Sequence, residues 1–466
     1  MNRPAATTHD HAIEMGAAHF SAGRLDAARA LCVSVLESQP RHFLALHLAA
    51  AVALRNGDLE DCVAFASRAL EVDPRHVEVL CNRGAALRRL NEVDAALADY
   101  DQALGAAPNH APTHLNRGVA LATLNRHAEA IASYDLALEL DPRSASTRFH
   151  RALSRLLTGD FANGWEDYES RWGSGTQGAP PAGTQPVWSG REDVRGKTVL
   201  VQAEQGLGDT IQFSRYARAL HERDARVILE AQPVLKDFLA QAPGVERVVA
   251  PGEAPGAIDY RCPLLSLPRA FATRLESIPT QSPLLEAQAD HVSRWSPRLP
   301  SRPRARIGLA WSGRPTLIND RNRSIALARL APLREIDAAF VSLQQEVRDS
   351  DRPALESGPP IVHFGTQLAD FRDTAALAAL VDLVVTVDTA AAHLAGAMGR
   401  PVWLLLPFAP DWRWLLERDT SPWYPTMRIF RQPRIGDWDA VIRRVASELG
   451  DFVARRQPAA TSTAGA

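Results

Sequence analysis

The chain has 466 residues, 46% hydrophobic and 23% charged, with 52 basic against 54 acidic side chains and a net charge of −2. That length exceeds what one hydrophobic core holds, so two or three domains are expected. The balanced charge excludes the concentrated basic excess of a nucleic-acid or anionic-membrane binder, and no nucleic-acid partner is expected. The four cysteines (Cys32, Cys62, Cys81, Cys262) form no CxxC and no metal-ligand spacing, and they read as small buried side chains in a reducing compartment. The N-terminus lacks the uninterrupted apolar core of a secretory signal, and no stretch reaches the ~18 apolar residues of a membrane span. A cytoplasmic protein is expected.

From the N-terminus, prolines fall at Pro40, Pro74, Pro108 and Pro142, a spacing of 34 residues. Small residues recur in phase at Gly84 and Gly118, Ala96 and Ala130, Ala103 and Ala137, with Tyr100 and Tyr134 between them. This is the tetratricopeptide-repeat (TPR) pattern, a solenoid of helix pairs. Small residues let paired helices approach, the tyrosine fills the wedge between repeats, and proline stops the second helix. An earlier copy carries Gly16 and Ala28 in register, and a degenerate one carries Ala152, Gly164 and Tyr168. The array is predicted over 9–172, with a concave face that holds a protein or peptide.

Residues 173–196, rich in Gly, Pro, Ser and Thr, read as a linker. All ten tryptophans lie at or beyond Trp165, so composition changes at this junction. Beyond it, strands are predicted at TVLVQA, ARVILEA, VERVVA and AIDYRC, with a helix over DTIQFSRYARALHERD. The series restarts at ARIGLAWSG and continues through AAFVSLQ, VDLVVTVD, the helix AAHLAGAMG and PVWLLLP. Two parallel sheets covered by helices follow, over 197–303 and 304–455, with a ligand cleft at their carboxyl ends. The tail 456–466 reads as disordered.

Three motifs fall at strand ends. In Gly206-Leu207-Gly208-Asp209 the glycines permit close approach of a ligand, and Asp209 either caps the following helix or acts as a general base. In Asp388-Thr389-Ala390-Ala391-Ala392-His393 the first helical amides suit a diphosphate. There Asp388 either meets a sugar hydroxyl or caps the helix, and His393 either reaches the ligand or is a satisfied core histidine. In Asn319–Ser324, a polar loop before the helix IALARLAPL, the arginines Arg321 and Arg323 either clamp phosphate or lie in a solvated loop with a Ser324 cap. Gln344 ends the strand FVSLQ, and Trp311 and Ser312 end GLAWS, where strand ends meet the cleft. Trp412, Trp414, Trp423 and Tyr424 either stack on a base or sugar or serve packing.

From about Lys197 to Leu449 these motifs resemble those of the ADP-heptose:lipopolysaccharide heptosyltransferase-like glycosyltransferases (glycosyltransferase family 9). The resemblance rests on Gly206–Asp209, on Asp388–Ala397 and on Gly399 and Pro401. Repeats followed by AEQGLGD, RSI, SLQ, VDTAAAHLAGA and PDWRW are similar to bacterial TPR-containing glycosyltransferase-like proteins, and the domain order is similar to that of protein O-GlcNAc transferases. The implied fold is an α-solenoid followed by α/β GT-B, two doubly wound Rossmann-like domains with an interdomain cleft. The implied activity is inverting sugar transfer from a nucleotide-diphosphate donor, with no cofactor and no metal.

Asp209 is then similar in position to the family's catalytic base, and Arg323 to its phosphate-binding cation. Asp388, Thr389, Ala390 and His393 lie at the donor's sugar and diphosphate, and Gly206, Gly208, Trp311, Ser324 and Gln344 complete the expected donor set. The chain differs from the family at Ala390, commonly glycine, and at Arg323, near a common lysine. Two alternatives stand beside protein glycosylation: a TPR adaptor with a silent GT-B half, and a heptosyltransferase-like enzyme acting on lipopolysaccharide or another glycan.

Overall fold

The computed structural model describes residues 8–175, 178–280, 282–301, 304–316 and 319–456; most of the tail expected to be disordered lies outside them. The chain divides into two compact units, Met1–Arg155 and Leu156–Ala466.

The first unit is a helical repeat array. Its helices are α1 (Thr8–Ser21), α2 (Leu25–Ser38), α3 (Phe43–Asn56), α4 (Leu59–Leu70), α5 (Val77–Arg89), α6 (Val93–Ala106), α7 (Ala111–Thr123), α8 (His127–Leu140) and most of α9 (Ala145–Leu157). Each in-phase proline sits in the turn after a second helix, where its missing N–H and fixed φ stop propagation. The next helix starts on a side-chain cap at α3 and α5: His42 Nδ1 accepts from the Ala45 amide at 3.2 Å, and His76 Nδ1 from that of Val79 at 3.4 Å.

The glycine–tyrosine pairing is a matter of volume. A Cβ on Gly84 would lie 2.7 Å from Tyr100 Cε1, and one on Gly118 would lie 2.4 Å from Tyr134 Cε1. Each tyrosine therefore rests first on the glycine of its own helix pair, inside a repeat rather than only between repeats; Tyr134 also stacks on His150 of α9 at 6.3 Å. Gly118→Ala should cost about 1–3 kcal/mol by overpacking. Gly105→Ala, with nothing within 4 Å, should be neutral or stabilising. Urea denaturation of the two variants checks this, and equal midpoints would contradict it.

The second unit opens with the end of α9 and with α10 (Phe161–Tyr168), the second helix of the degenerate pair. Its Phe161, Trp165 and Tyr168 are buried against the aromatics of the last third of the chain, Trp165 lying 5.2 Å from Trp412 and Phe161 6.4 Å from Trp423. The segment read as a linker is also partly built in. Val187 bridges Arg261 in parallel, Arg261 donates to the carbonyls of Pro181 and Gln185, and Trp188 is buried.

Two wholly parallel sheets follow. The first has order β3-β2-β1-β4, from β1 (Thr198–Gln202), β2 (Arg226–Glu230), β3 (Val245–Val249) and β4 (Tyr260–Pro263). The second has order β10-β9-β8-β5-β6-β7, from β5 (Arg306–Ala310), β6 (Ala339–Ser342), β7 (Ile361–Val362), β8 (Leu383–Val387), β9 (Val402–Leu406) and β10 (Met427–Arg431). The expected strands are present; β7 and β10, both at sheet edges, went unread.

Two helix expectations are corrected. The segment after β1 forms α11 (Leu207–Phe213) and α12 (Tyr216–His221), not one helix. At the break, the Ser214 hydroxyl donates to the Ile211 carbonyl and Arg215 Nε to that of Gln212, so side chains compete for helix acceptors. IALARLAPL is likewise a 3-10 turn, Leu327–Leu330, and a short helix, Ala331–Arg334, restarted by Pro332 near its N-terminus. Among the described residues no helix is long and apolar enough to cross a membrane.

Candidate functional site

The polypeptide leaves β1 into Gly206, the extended N-cap of α11. Asp209 Oδ2 accepts from the Gly206 amide at 2.8 Å, so the aspartate does cap its helix. Its other oxygen accepts from Arg413 Nη2. Gly208 serves a different purpose from the one expected. A Cβ there would lie 2.6 Å from His393 Cδ2, so the missing side chain admits His393 rather than a ligand.

His393 belongs to the Ala390–Ala397 helix that follows β8, and this helix packs on α11. The carboxyl ends of β1 and β8 thereby bring the first two motifs together. Thr389 is the extended N-cap (φ −142°, ψ 172°), and its side chain makes no capping bond. Among the described residues nothing accepts from the amides of Thr389, Ala390 and Ala391, and Asp388, Thr389 and Ala390 are half-buried, not covered. The helix therefore has a positive end with unused donors at the half-buried Thr389 and Ala390 and a third at the buried Ala391.

Asp388 does not cap this helix. Its Oδ2 accepts from the Trp414 indole N–H at 2.9 Å, and its Oδ1 lies 3.8 Å from His393 Nε2. Burial, reinforced by the nearby Asp411 carboxylate, pushes the Asp388 carboxyl up to about 6. His393 is 5% exposed, stacked on Trp414 at 5.3 Å and bonded through Nδ1 to the Tyr424 hydroxyl at 3.0 Å. Burial, helped by Arg413 and Arg215, keeps this histidine neutral. It is enclosed behind Asp388, not presented to a ligand, which corrects its expected place in the donor set.

Arg413 holds the site together, and the sequence reading did not single it out. Its three guanidinium nitrogens donate to the Gln212 amide oxygen at 2.9 Å, to Asp411 at 2.8 Å and to Asp209. The guanidinium lies 4.3 Å over the Trp412 ring. Burial pushes the Asp209 carboxyl above its ordinary value, and Arg413 opposes that shift. The available signal was the cluster Asp411-Trp412-Arg413-Trp414, a charge pair inside an aromatic run. Trp412, Trp414, Trp423 and Tyr424 are all buried, so their rings pack and do not offer a stacking face.

The third motif borders the same point. Arg323 lies across Gly313, where a Cβ would be 2.1 Å from its Nη2, and its Nη1 donates to the Asp388 carbonyl at 3.0 Å. Asp320, inside a helical turn and not a loop, accepts from Arg323 Nε, the Ser324 hydroxyl and Arg348. Arg348 also donates to the Gly313 carbonyl at 2.9 Å. Ser324 and Gln344 are spent on structure: the Ser324 hydroxyl accepts from the Gly313 amide, and Gln344 Oε1 accepts from the amides of Trp311 and Ser312. Trp311 is 1% exposed with its indole N–H on Asp351, so its ring is core, contrary to expectation. Beyond β6 and β7 lies a groove of about 380 Å³ lined by Gln345, Glu346, Arg352, Leu355 and His363.

The family model and the solved structures bear on the N-terminal part, while one curated relative matches a longer stretch of the chain. A family model described as Tetratricopeptide repeat matches residues 64–111 and 81–145. The N-terminal region is a TPR array. Protein FlbA of Caulobacter vibrioides is 30% identical over 328 residues, covering 64% of this chain and 54% of FlbA, so the chain spans about half of that relative's length. Among solved structures, a thermophilic TPR protein of Thermus thermophilus matches 36% of this chain and 91% of its own at 23% identity (TM-score 0.32). Pseudomonas aeruginosa pilF matches 36% and 78% at 20% identity (TM-score 0.34).

Proposed function

We propose that the C-terminal unit is a glycosyltransferase of GT-B architecture, and that the TPR array recruits its acceptor, a protein. The observation that carries this reading is the packing of the Asp209-bearing α11 on the Ala390–Ala397 helix, whose first amides are unoccupied and whose entry Arg323 borders through the Asp388 carbonyl. In an inverting transfer, Asp209 takes the proton of an acceptor hydroxyl while that oxygen bonds to the anomeric carbon. The bond from that carbon to the diphosphate oxygen breaks, and its electron pair leaves with the nucleoside diphosphate. The three amides and Arg323 receive this charge, and because they are already fixed in place they cost little reorganisation. Asp388 suits a donor-sugar hydroxyl, and the groove beyond β6 and β7 suits the nucleoside.

A second reading, an adaptor with a silent α/β unit, draws on the engagement of Asp209 by both the Gly206 amide and Arg413. Nucleotide binding separates the two. In a thermal-shift screen of ADP, GDP, UDP and their sugars, at least one should raise the melting point, since a ligand of the native state stabilises it. Arg323→Ala should weaken that ligand by about tenfold to a hundredfold, the loss of a charged hydrogen bond. Binding of none of them would leave the adaptor.

A further inference from the structure

The repeat unit contains a cluster that the transferase reading does not use. His47 on α3 and His76 and Glu78 at the start of α5 each bring one ligand-type atom within 4.8 Å of the others. His47 Nε2 lies 3.5 Å from Glu78 Oε2, and the imidazoles of His47 and His76 meet edge to face at 5.0 Å. Phe43 packs on both rings, at 6.1 Å from His47 and 4.9 Å from His76, and restricts their rotation.

We propose that His47, His76 and Glu78 form a zinc-binding site that joins the second and third repeats. Two imidazoles and one carboxylate are a ligand set of zinc sites that keep an open fourth position, whereas calcium and magnesium select oxygen donors. His76 Nδ1 accepts from the Val79 amide, which leaves Nε2 as the nitrogen open to a metal. Coordination there moves the ring proton to Nδ1 and ends that long 3.4 Å cap bond. Metal bonds of about 2 Å require the three ligand atoms to close together, and the mainly exposed Glu78 side chain is free to rotate toward the rings. The first helices of successive pairs, α1, α3, α5 and α7, touch in sequence, which puts the site on the closely packed face of the solenoid. The fourth position is left to water or to a side chain of a bound peptide.

Calorimetric titration of the full chain with Zn²⁺ alone should show one saturable equivalent. His47→Ala and, separately, Glu78→Gln should each weaken it by at least about tenfold. Neither residue caps a helix, so both variants should keep the parent's metal-free melting curve by circular dichroism. Co²⁺ in place of zinc should give tetrahedral visible bands without a thiolate charge-transfer band. Absence of a saturable equivalent, affinity unchanged in both variants, or a thiolate band would each overturn the proposal.

Discussion

Asp209→Asn should lower the rate of sugar transfer by about a hundredfold to ten-thousandfold, the usual contribution of a positioned general base. Nucleoside diphosphate binding should be largely retained, because the diphosphate is held by the Thr389–Ala391 amides and Arg323, not by this carboxylate. Asparagine keeps an oxygen for the Gly206 amide, so the cap of α11 survives the change. The pH profile carries the same information. Burial raises the Asp209 pKa, so the reactive anion forms only above the ordinary carboxylate range, and the wild-type rate should climb with pH through that raised value. The variant should lose that limb. Initial rates of nucleoside diphosphate release with donor and acceptor present measure both effects, and unchanged turnover would remove Asp209 from the chemistry.

Arg413→Met should destabilise the C-terminal unit by about 3 kcal/mol, the scale for removing one partner of a buried ion pair. The guanidinium side chain is 7% exposed and serves Asp209 and Asp411 at once, whose side chains are 17% and 37% exposed. Methionine fills much of the volume but leaves the Asp209 carboxylate without its buried partner and removes a weaker attraction on Asp388. Their folded-state pKa values already lie above the ordinary value, that of Asp388 at about 6, so their ionised forms oppose folding. The damage should therefore be largest at neutral and alkaline pH and should shrink as the pH falls below about 6 and the carboxyls protonate. Urea denaturation at pH 5 and pH 8 tests this; an equal loss at both would show that packing, not charge, dominates.

What could be read in the sequence followed periodicity. The 34-residue phase of Pro40, Pro74, Pro108 and Pro142 and the apolar runs of β1, β2, β5, β8 and β9 are local signals, and each corresponds to an element. Features set by distant partners were not legible. Gly208 looked like a ligand-facing glycine because nothing local reveals His393 lying upon it. Trp311 ended a strand at the right place, but its side chain turns inward to Asp351. Arg413 had no motif of its own, since its role comes from Asp209 and Gln212, some two hundred positions earlier in the chain. The same holds for His47 and His76, which sit almost one repeat apart and meet only when α3 and α5 stack.

The most direct test is a co-crystal structure of the full chain with the nucleotide sugar that gives the largest thermal shift. The diphosphate should lie within about 3.2 Å of the amides of Thr389, Ala390 and Ala391, with the anomeric carbon turned toward the Asp209 carboxylate. A diphosphate bound elsewhere, or a sugar turned away from Asp209, would contradict catalysis at this site.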